Sequence, residues 1–238
     1  MDQSYNIETM KVTLFAPVLN EIDGIKVIMP RIKKEWVDEI IFVDGGSTDG
    51  TPEYLESHGY KVLRRKGIHV LKACWEAYDI ATGDIIIPFS PDGNSVPEDI
   101  PKLVAKINEG YDMVIASRYK DGAKSEDDSL LSGIANWGFT KIVNILFHGH
   151  YTDAGVIYRA FRKELIASLK MDNSKGEPFD YISSIRVAKA KLRATEIPSD
   201  EPRRIGGGDY SRAWPGFFGR IRGALLISRC IFNELIHW

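Results

Sequence analysis

The sequence predicts an α/β fold: a doubly wound, mostly parallel sheet with helices on both faces, continued by a less regular C-terminal half. Three observations predict it. Short apolar runs that suit strands buried on both faces alternate with helix-length amphipathic patterns, as in parallel sheets covered by crossover helices. The unusual polar segments, rich in Asp, Asn and Gly, all follow strands, where open α/β sheets bind ligands. The 238 residues suit one large domain with an elaborated second half. The regular alternation runs over residues 1–118, a second half of the same domain over 119–213, and an amphipathic tail over 214–238.

In chain order, "KVTLFA" (Lys11 to Ala16) fits a buried strand and Glu21 to Ile32 a helix. "EIIFVD" (Glu39 to Asp44) is a second strand that ends on a carboxylate. "TPEYLESH" opens a helix with Thr51 as N-cap and Pro52 in the first turn, where a missing N–H removes no helical bond. "YKVLRR" is a third strand. Ile68, Leu71, Trp75 and Tyr78 recur at helical spacing and predict an amphipathic helix. "GDIIIPF" is a fourth strand, Pro97 to Asn108 a helix and "YDMVIAS" a fifth strand. Beyond it, "DGAKSEDDS" reads as a polar loop, "IANWGFTKIVNILF" as an amphipathic helix, "GVIYRAF" as a strand and "FDYISSIRVAKAKL" as a helix. "RIGGGDYSRAWPG" is a Gly-rich basic loop, and the tail from Phe217 to Ile236 carries Arg220, Arg222 and Arg229 among apolar residues.

A formal net charge of −2 gives no bulk attraction to nucleic acid. Cys74 and Cys230 lie far apart among apolar neighbours and read as reduced, buried thiols. The polar start "MDQSYNIETMKV" has no cationic region followed by an apolar run, so it is not read as a signal peptide. No window reaches the stretch of about 18 apolar residues that spans a bilayer. These readings predict a cytoplasmic protein. Trp214, Phe217, Phe218 and Trp238, with the three tail arginines, fit an interfacial helix at the inner face of a membrane. They fit equally a helix that packs on the domain or forms a homodimer.

Four polar loops at one sheet edge outline a site: "PVLNE", "DGGSTD", "SPDGN" and "SRY". Asp44 can accept hydrogen bonds from a ring N–H, or it can cap its own turn with Gly45 and Gly46 supplying positive φ. Asp92 and Asn94 are hard oxygen donors in one short loop, as Mg2+ or Mn2+ requires, and also a strong turn signal. Arg203 and Arg204 beside three glycines suit a diphosphate, or a solvated surface loop. Lys66, before a helix start, can place a cation near phosphate or simply begin a helix.

The order of these segments resembles family 2 glycosyltransferases, with the GT-A nucleotide-sugar-binding fold, and among them the dolichyl-phosphate mannose synthase group. The resemblance runs from about Lys11 to Trp214 through "APVLNE", "FVDGGSTDGT", "KGIHVLKACWEAYDIATGDIIIPFSPDGN", "YDMVIASRY", "DAGVIYRAFRKEL" and "EIPSDEPRR". It implies that residues 1–118 form a nucleotide-sugar-binding half and 119–213 an acceptor-binding half. Pro17 and Glu21 are expected to hold the donor's base and ribose, and Asp44 to contact the base. Asp92, aided by Asn94, is expected to bind Mg2+ or Mn2+, Arg204 to touch the diphosphate, and Arg118 to face the acceptor. Asp153 matches an Asp near the reacting centre.

Three departures follow. Ser90 stands for the first Asp of the usual Asp-x-Asp, Gly45 for a second Asp after the second strand, and Asp128 near an Arg that grips the acceptor phosphate in polyprenyl-phosphate-using relatives. An acid there repels phosphate and points to a hydroxyl acceptor on a glycan or glycan precursor. A hydroxyl requires a general base, for which Asp180, Asp153 and Glu177 are candidates. The expected reaction is inverting transfer from a UDP- or GDP-linked sugar. The alternatives are a polyprenyl-phosphate glycosyl synthase with a lipid-linked acceptor, or a non-catalytic nucleotide-sugar-binding subunit.

Overall fold

β1, Val12–Val18, is the first strand of a seven-stranded sheet in the computed structural model, which describes residues 10–68, 70–171, 178–206 and 216–236. The others are β2 (Glu39–Asp44), β3 (Lys61–Arg64), β4 (Ile85–Pro88), β5 (Met113–Ser117), β6 (Arg159–Arg162) and β7 (Ala194–Pro198), in the order β3-β2-β1-β4-β6-β5-β7. β1 pairs in parallel with β2 and β4, β2 with β3, and β5 with β7. Only β6 runs antiparallel, between β4 and β5. The direction of β6 matters for the site. An antiparallel strand starts at the edge where its neighbours end, so the segment "DAG" before it joins the loops at their carboxyl ends. The sheet is mostly parallel, as expected.

The helices are α1 (Ile22–Ile28), α2 (Thr51–Ser57), α3 (Val70–Ile80), α4 (Ile100–Asn108), α5 (Leu130–Phe147), α6 (Glu164–Ser168), α7 (Phe179–Lys189) and α8 (Gly216–Ile236). α1 ends early, passing into a 3-10 turn at Met29–Arg31 where Pro30 begins to break the pattern. Thr51 is the first helical residue of α2 rather than its cap. Gly50 takes the cap position at φ +90°, and the Asp49 carboxylate accepts the Thr51 N–H at 2.9 Å. Alternate residues of the inner strands face opposite layers. Ala16, Val18 and Phe42 pack under Ile25 of α1 and Leu55 of α2. Phe15, Ile41 and Val43 pack in the main core with Ala77 and Tyr78 of α3. Both cysteines are buried.

Two helices leave large apolar faces uncovered. α5 exposes Leu130, Leu131, Ile134, Trp137 and Ile145, and by length and composition it could cross a membrane, although no such window was read from the sequence. α8 buries Ile227, Cys230 and Ile231 and is tied to α7 by Arg186 and Lys189, which pair with the buried Glu234. Its opposite face exposes Phe218, Leu225 and Phe232. Trp214, Trp238, Glu177 and most of the Gly-rich loop lie outside the described residues, as does the side chain of Phe217.

Candidate active site

The carboxyl edge of the sheet opens into a cavity of about 340 Å3. Pro17, Glu21, Ser90, Asp92, Asn94, Arg118, Asp180 and Arg204 line it, so most of the candidate site residues converge there. Asp44, Lys66 and Asp153 are not among its lining. A larger cavity, about 810 Å3, lies between the C-terminal ends of α5 and α8 and holds none of the candidate residues.

Asp44 is buried at the end of β2, and its carboxylate accepts the N–H groups of Gly46 at 3.0 Å and Ser47 at 3.2 Å. It therefore organises the turn. Of the two glycines there, only Gly46 has positive φ, at +105°. A Cβ on Gly45 would meet its nearest neighbour at an ordinary 3.6 Å, so the missing second carboxylate is not forced by packing. Lys66 lies over this turn, with its side chain against Gly46.

The "SPDGN" loop is held on two sides. Its Asp92 carbonyl accepts the Ile205 N–H at 2.6 Å, and α1 packs against it through Gly24. The Asp92 carboxylate accepts the Asn94 N–H at 3.0 Å and pairs with Arg204 at 3.1 Å. Burial pushes the Asp92 carboxyl up, opposed by the Arg204 charge. Burial, then the Asp92 charge, drives Glu21 well above the usual carboxylate range. Glu21 Oε2 and Asn94 Oδ1 are buried and accept no hydrogen bond from any described residue. These hard oxygen donors fit a divalent cation. No cluster of three or more His, Cys, Asp or Glu forms a cage among the described residues, so substrate oxygens would have to complete the shell.

On the other side of the cavity Arg118 is enclosed by acids. It holds Asp153 through two hydrogen bonds, at 2.7 and 3.0 Å, and pairs with Asp128 and Glu201 at 3.3 Å each. Asp153 is fully buried and also accepts from Asn136 at 2.9 Å. Burial raises its carboxyl, but the Arg118 charge and these hydrogen bonds outweigh it and hold it below the ordinary range. Asp180, in the first turn of α7, is the reverse case. Its Oδ1 is shut off from solvent without a described partner, and burial pushes it to about 6 despite the nearby Arg159 charge.

The family model for glycosyl transferase family 2 matches residues 13–169, about two thirds of the sequence; it spans the four polar loops after β1, β2, β4 and β5, while the segment that carries Arg204 lies beyond it. The chain belongs to glycosyl transferase family 2. This family 2 glycosyltransferase is 29% identical over 220 residues to an undecaprenyl-phosphate 4-deoxy-4-formamido-L-arabinose transferase of Salmonella choleraesuis (strain SC-B67), which covers 84% of the chain and 63% of that relative. It thus spans less than two thirds of the length of the curated relatives it matches. Among solved structures it resembles mannosyl-3-phosphoglycerate synthase from Rubrobacter xylanophilus (17% identity, TM-score 0.66, 95% of this chain and 74% of that one). It also resembles glucosyl-3-phosphoglycerate synthase from Mycobacterium tuberculosis, solved with Mn2+, UDP and phosphoglyceric acid (19% identity, TM-score 0.62, 93% and 78%). At these identities the likeness is one of fold.

Sequence reasoning about this glycosyltransferase missed two positioning residues. Gly24 sits inside α1, and a Cβ there would come within 2.7 Å of the Pro91 carbonyl oxygen and 2.8 Å of Asp92 Cα. A glycine inside a helix costs roughly 0.5–1 kcal/mol against Ala, which is the signal that could have found it. Gly24→Ala is expected to destabilise the fold by about 1–3 kcal/mol in urea denaturation despite its better helix propensity. A stabilised variant would contradict the close approach. Arg159, fully buried at the start of β6, donates to the carbonyls of Val156 at 3.0 Å, Ala154 at 3.1 Å and Asp180 at 2.8 Å. It joins the segment after Asp153 to the first turn of α7. An Arg inside the apolar run "GVIYRAF" was its signal.

Proposed function

We propose that this protein is an inverting glycosyltransferase that moves a sugar from a UDP- or GDP-linked donor to a hydroxyl group of a glycan or glycan precursor. The observation that carries the reading is Asp180: it lines the same cavity as Asp92 and Arg204, its carboxyl is raised to about 6, and its buried Oδ1 has no described hydrogen-bond partner. A general base works best when its pKa lies near the working pH. Asp153, fixed by Arg118 and held low, is the poorer base.

In this reading Pro17 and Glu21 hold the donor's nucleoside, and Asp44 shapes the turn beneath the base with Lys66 over it. Asp92 and Asn94 would hold the divalent cation, which when bound supplies positive charge to the leaving diphosphate. Asp180 takes the acceptor's hydroxyl proton as its oxygen bonds to the anomeric carbon. The bond from that carbon to the diphosphate breaks, and its electron pair leaves with the nucleoside diphosphate. Arg204 counters the charge that develops on the leaving group, while Arg118 and Asp153 fix the acceptor-side wall. Release of UDP or GDP from a donor panel in Mn2+, with small glycans as acceptors, tests this. No release from any donor would refute it.

A second reading, transfer to a polyprenyl phosphate, is supported by the names of the curated relatives and by α5. Leu130, Ile134 and Trp137 line an apolar recess that shares Asp128 with the main cavity. A phosphate acceptor needs no base, so Asp180→Asn would then leave turnover little changed. It would place the protein at the inner face of a membrane. Against it, Arg118 on that wall is already surrounded by three acids. Flotation with vesicles containing phosphatidylglycerol separates the readings. The hydroxyl reading expects no binding that Trp137→Ala abolishes, and the lipid reading expects such binding.

A further inference from the structure

We infer that Asp127 is the second carboxylate of the cation site, standing in for the acid that Ser90 replaces, and that Arg204 occupies the space between the two carboxylates until a divalent cation displaces it. The inference rests on the metal-assisted reading above and extends it to a residue outside the "SPDGN" loop.

Asp127 comes from the segment between β5 and α5, far from Asp92 in sequence. That segment is fixed from both sides. Ser125 forms a bridge with Glu201 and its hydroxyl bonds the Glu201 carboxylate; Asp128 donates its N–H to Ser125 Oγ at 3.0 Å, and Lys124 its N–H to Asp200 at 2.9 Å. The adjacent acids thereby face different partners. Asp128 turns to Arg118 on the acceptor side. Asp127 turns to the donor side, where its Oδ2 accepts from Arg204 Nε at 3.1 Å and from Asn94 Nδ2 at 3.2 Å.

The guanidinium of Arg204 thus spans two carboxylates, with Nε on Asp127 and Nη1 on Asp92 at 3.1 Å. Two acids already converge on one positive group. A second, independent observation points to a ligand there. Asn94, 8% exposed, and Glu21, 5% exposed, each present a buried oxygen to the cavity with no described hydrogen-bond partner. Two carboxylates, an amide oxygen and substrate phosphate oxygens make a suitable shell for Mg2+ or Mn2+, which commonly take one or two carboxylates and complete coordination with phosphates and water. Charge supports the exchange. Asp92 and Asp127 carry two negative charges and Arg204 balances one. A divalent cation balances both and frees Arg204 for the diphosphate. Ser90, a neutral hydroxyl, is then no defect, because the missing charge arrives from another loop.

The test is Mn2+ binding to the full chain, read from the electron paramagnetic resonance of free Mn2+, with Mn2+ alone and with UDP or GDP added. Asp127→Asn is expected to weaken Mn2+ binding about ten-fold or more, since affinity at such sites follows the ligand charge count. Ser90→Asp in that background is expected to recover most of the loss. Arg204→Gln is expected to tighten binding of Mn2+ alone, because the competing cation is gone. If Asp127→Asn binds Mn2+ like the parent while Asp92→Asn does not, the metal reading stands and the role of Asp127 falls. A loss that Ser90→Asp does not recover also overturns it, as does unchanged or weaker binding by Arg204→Gln. If the parent binds no Mn2+ with or without either nucleotide, the metal-assisted reading falls as well.

Discussion

Asp180→Asn is expected to lower kcat about 10²–10⁴-fold with little change in donor affinity, the range that a positioned general base supplies. The parent's rate should rise with pH through a value near 6, the titration of Asp180, and the variant should lose that limb. The same substitution carries a stability signature of opposite sign. The folded-state value near 6 lies above the ordinary 3.8, so ionisation is harder in the folded chain than in the unfolded one. The penalty is absent below about pH 4, grows up to about pH 6 and is complete above it, reaching about 2–3 kcal/mol for a shift of this size. Asn at this position removes it. The variant should therefore be more stable than the parent at pH 8 in urea denaturation and no more stable at pH 4, while being nearly inactive. An active, unstabilised variant would remove Asp180 from the mechanism.

Asp92→Ala has the larger effect on binding. It takes away a buried carboxylate that pairs with Arg204 and lines the same cavity as Glu21 and Asn94. Loss of one preorganised charged group at a reacting centre costs about 10²–10³ in turnover. The loop should keep its place, because the Asp92 carbonyl and Gly24 still hold it, although the Asn94 N–H loses its carboxylate acceptor. Nucleotide binding that Mn2+ enhances in the parent should become indifferent to Mn2+ in the variant.

Much of this was legible in the sequence, and the illegible part has physical causes. β2 was read with its observed bounds, Glu39 to Asp44, since an apolar run between turn residues leaves little freedom. The loops after the strands were located for the same reason. The direction of β6 was not legible: a short strand buried on most sides has the same pattern whichever way it runs. β7 was missed because an edge strand, half covered and carrying Glu196, lacks the continuous apolar run of its neighbours. The start of α5 is not legible, because Ser129, which caps it by accepting the Ser132 N–H, sits at the end of a polar run that reads as loop.

Within the site, local motifs were readable and their meeting was not. "SPDGN" pointed to Asp92 and Asn94, and "EPRR" to Arg204. Nothing in the spacing of Asp127 shows that it reaches the same guanidinium from 77 residues away. Arg118 was read as facing the acceptor, and it does line the cavity, but its enclosure by Asp128, Asp153 and Glu201 depends on three segments that only the folded sheet edge brings together. The distinction between Asp153 and Asp180 is likewise tertiary. Asp153 is held by the Arg118 guanidinium and the Asn136 amide, whereas Arg159 bonds the Asp180 carbonyl and burial outweighs its charge at the Asp180 carboxyl.

The central claim is that the cavity is a metal-assisted nucleotide-sugar site, and the most direct measurement is the thermal unfolding midpoint with UDP and GDP, each with and without Mn2+. At a ligand concentration about 100 times Kd, stabilisation is about 2.7 kcal/mol, or roughly 5–10 °C for a chain of this length. The account predicts a shift of that order for one of the two nucleotides, dependent on Mn2+ and lost in Asp92→Ala. No shift with either nucleotide, or a shift of equal size without Mn2+ and in Asp92→Ala, would contradict it.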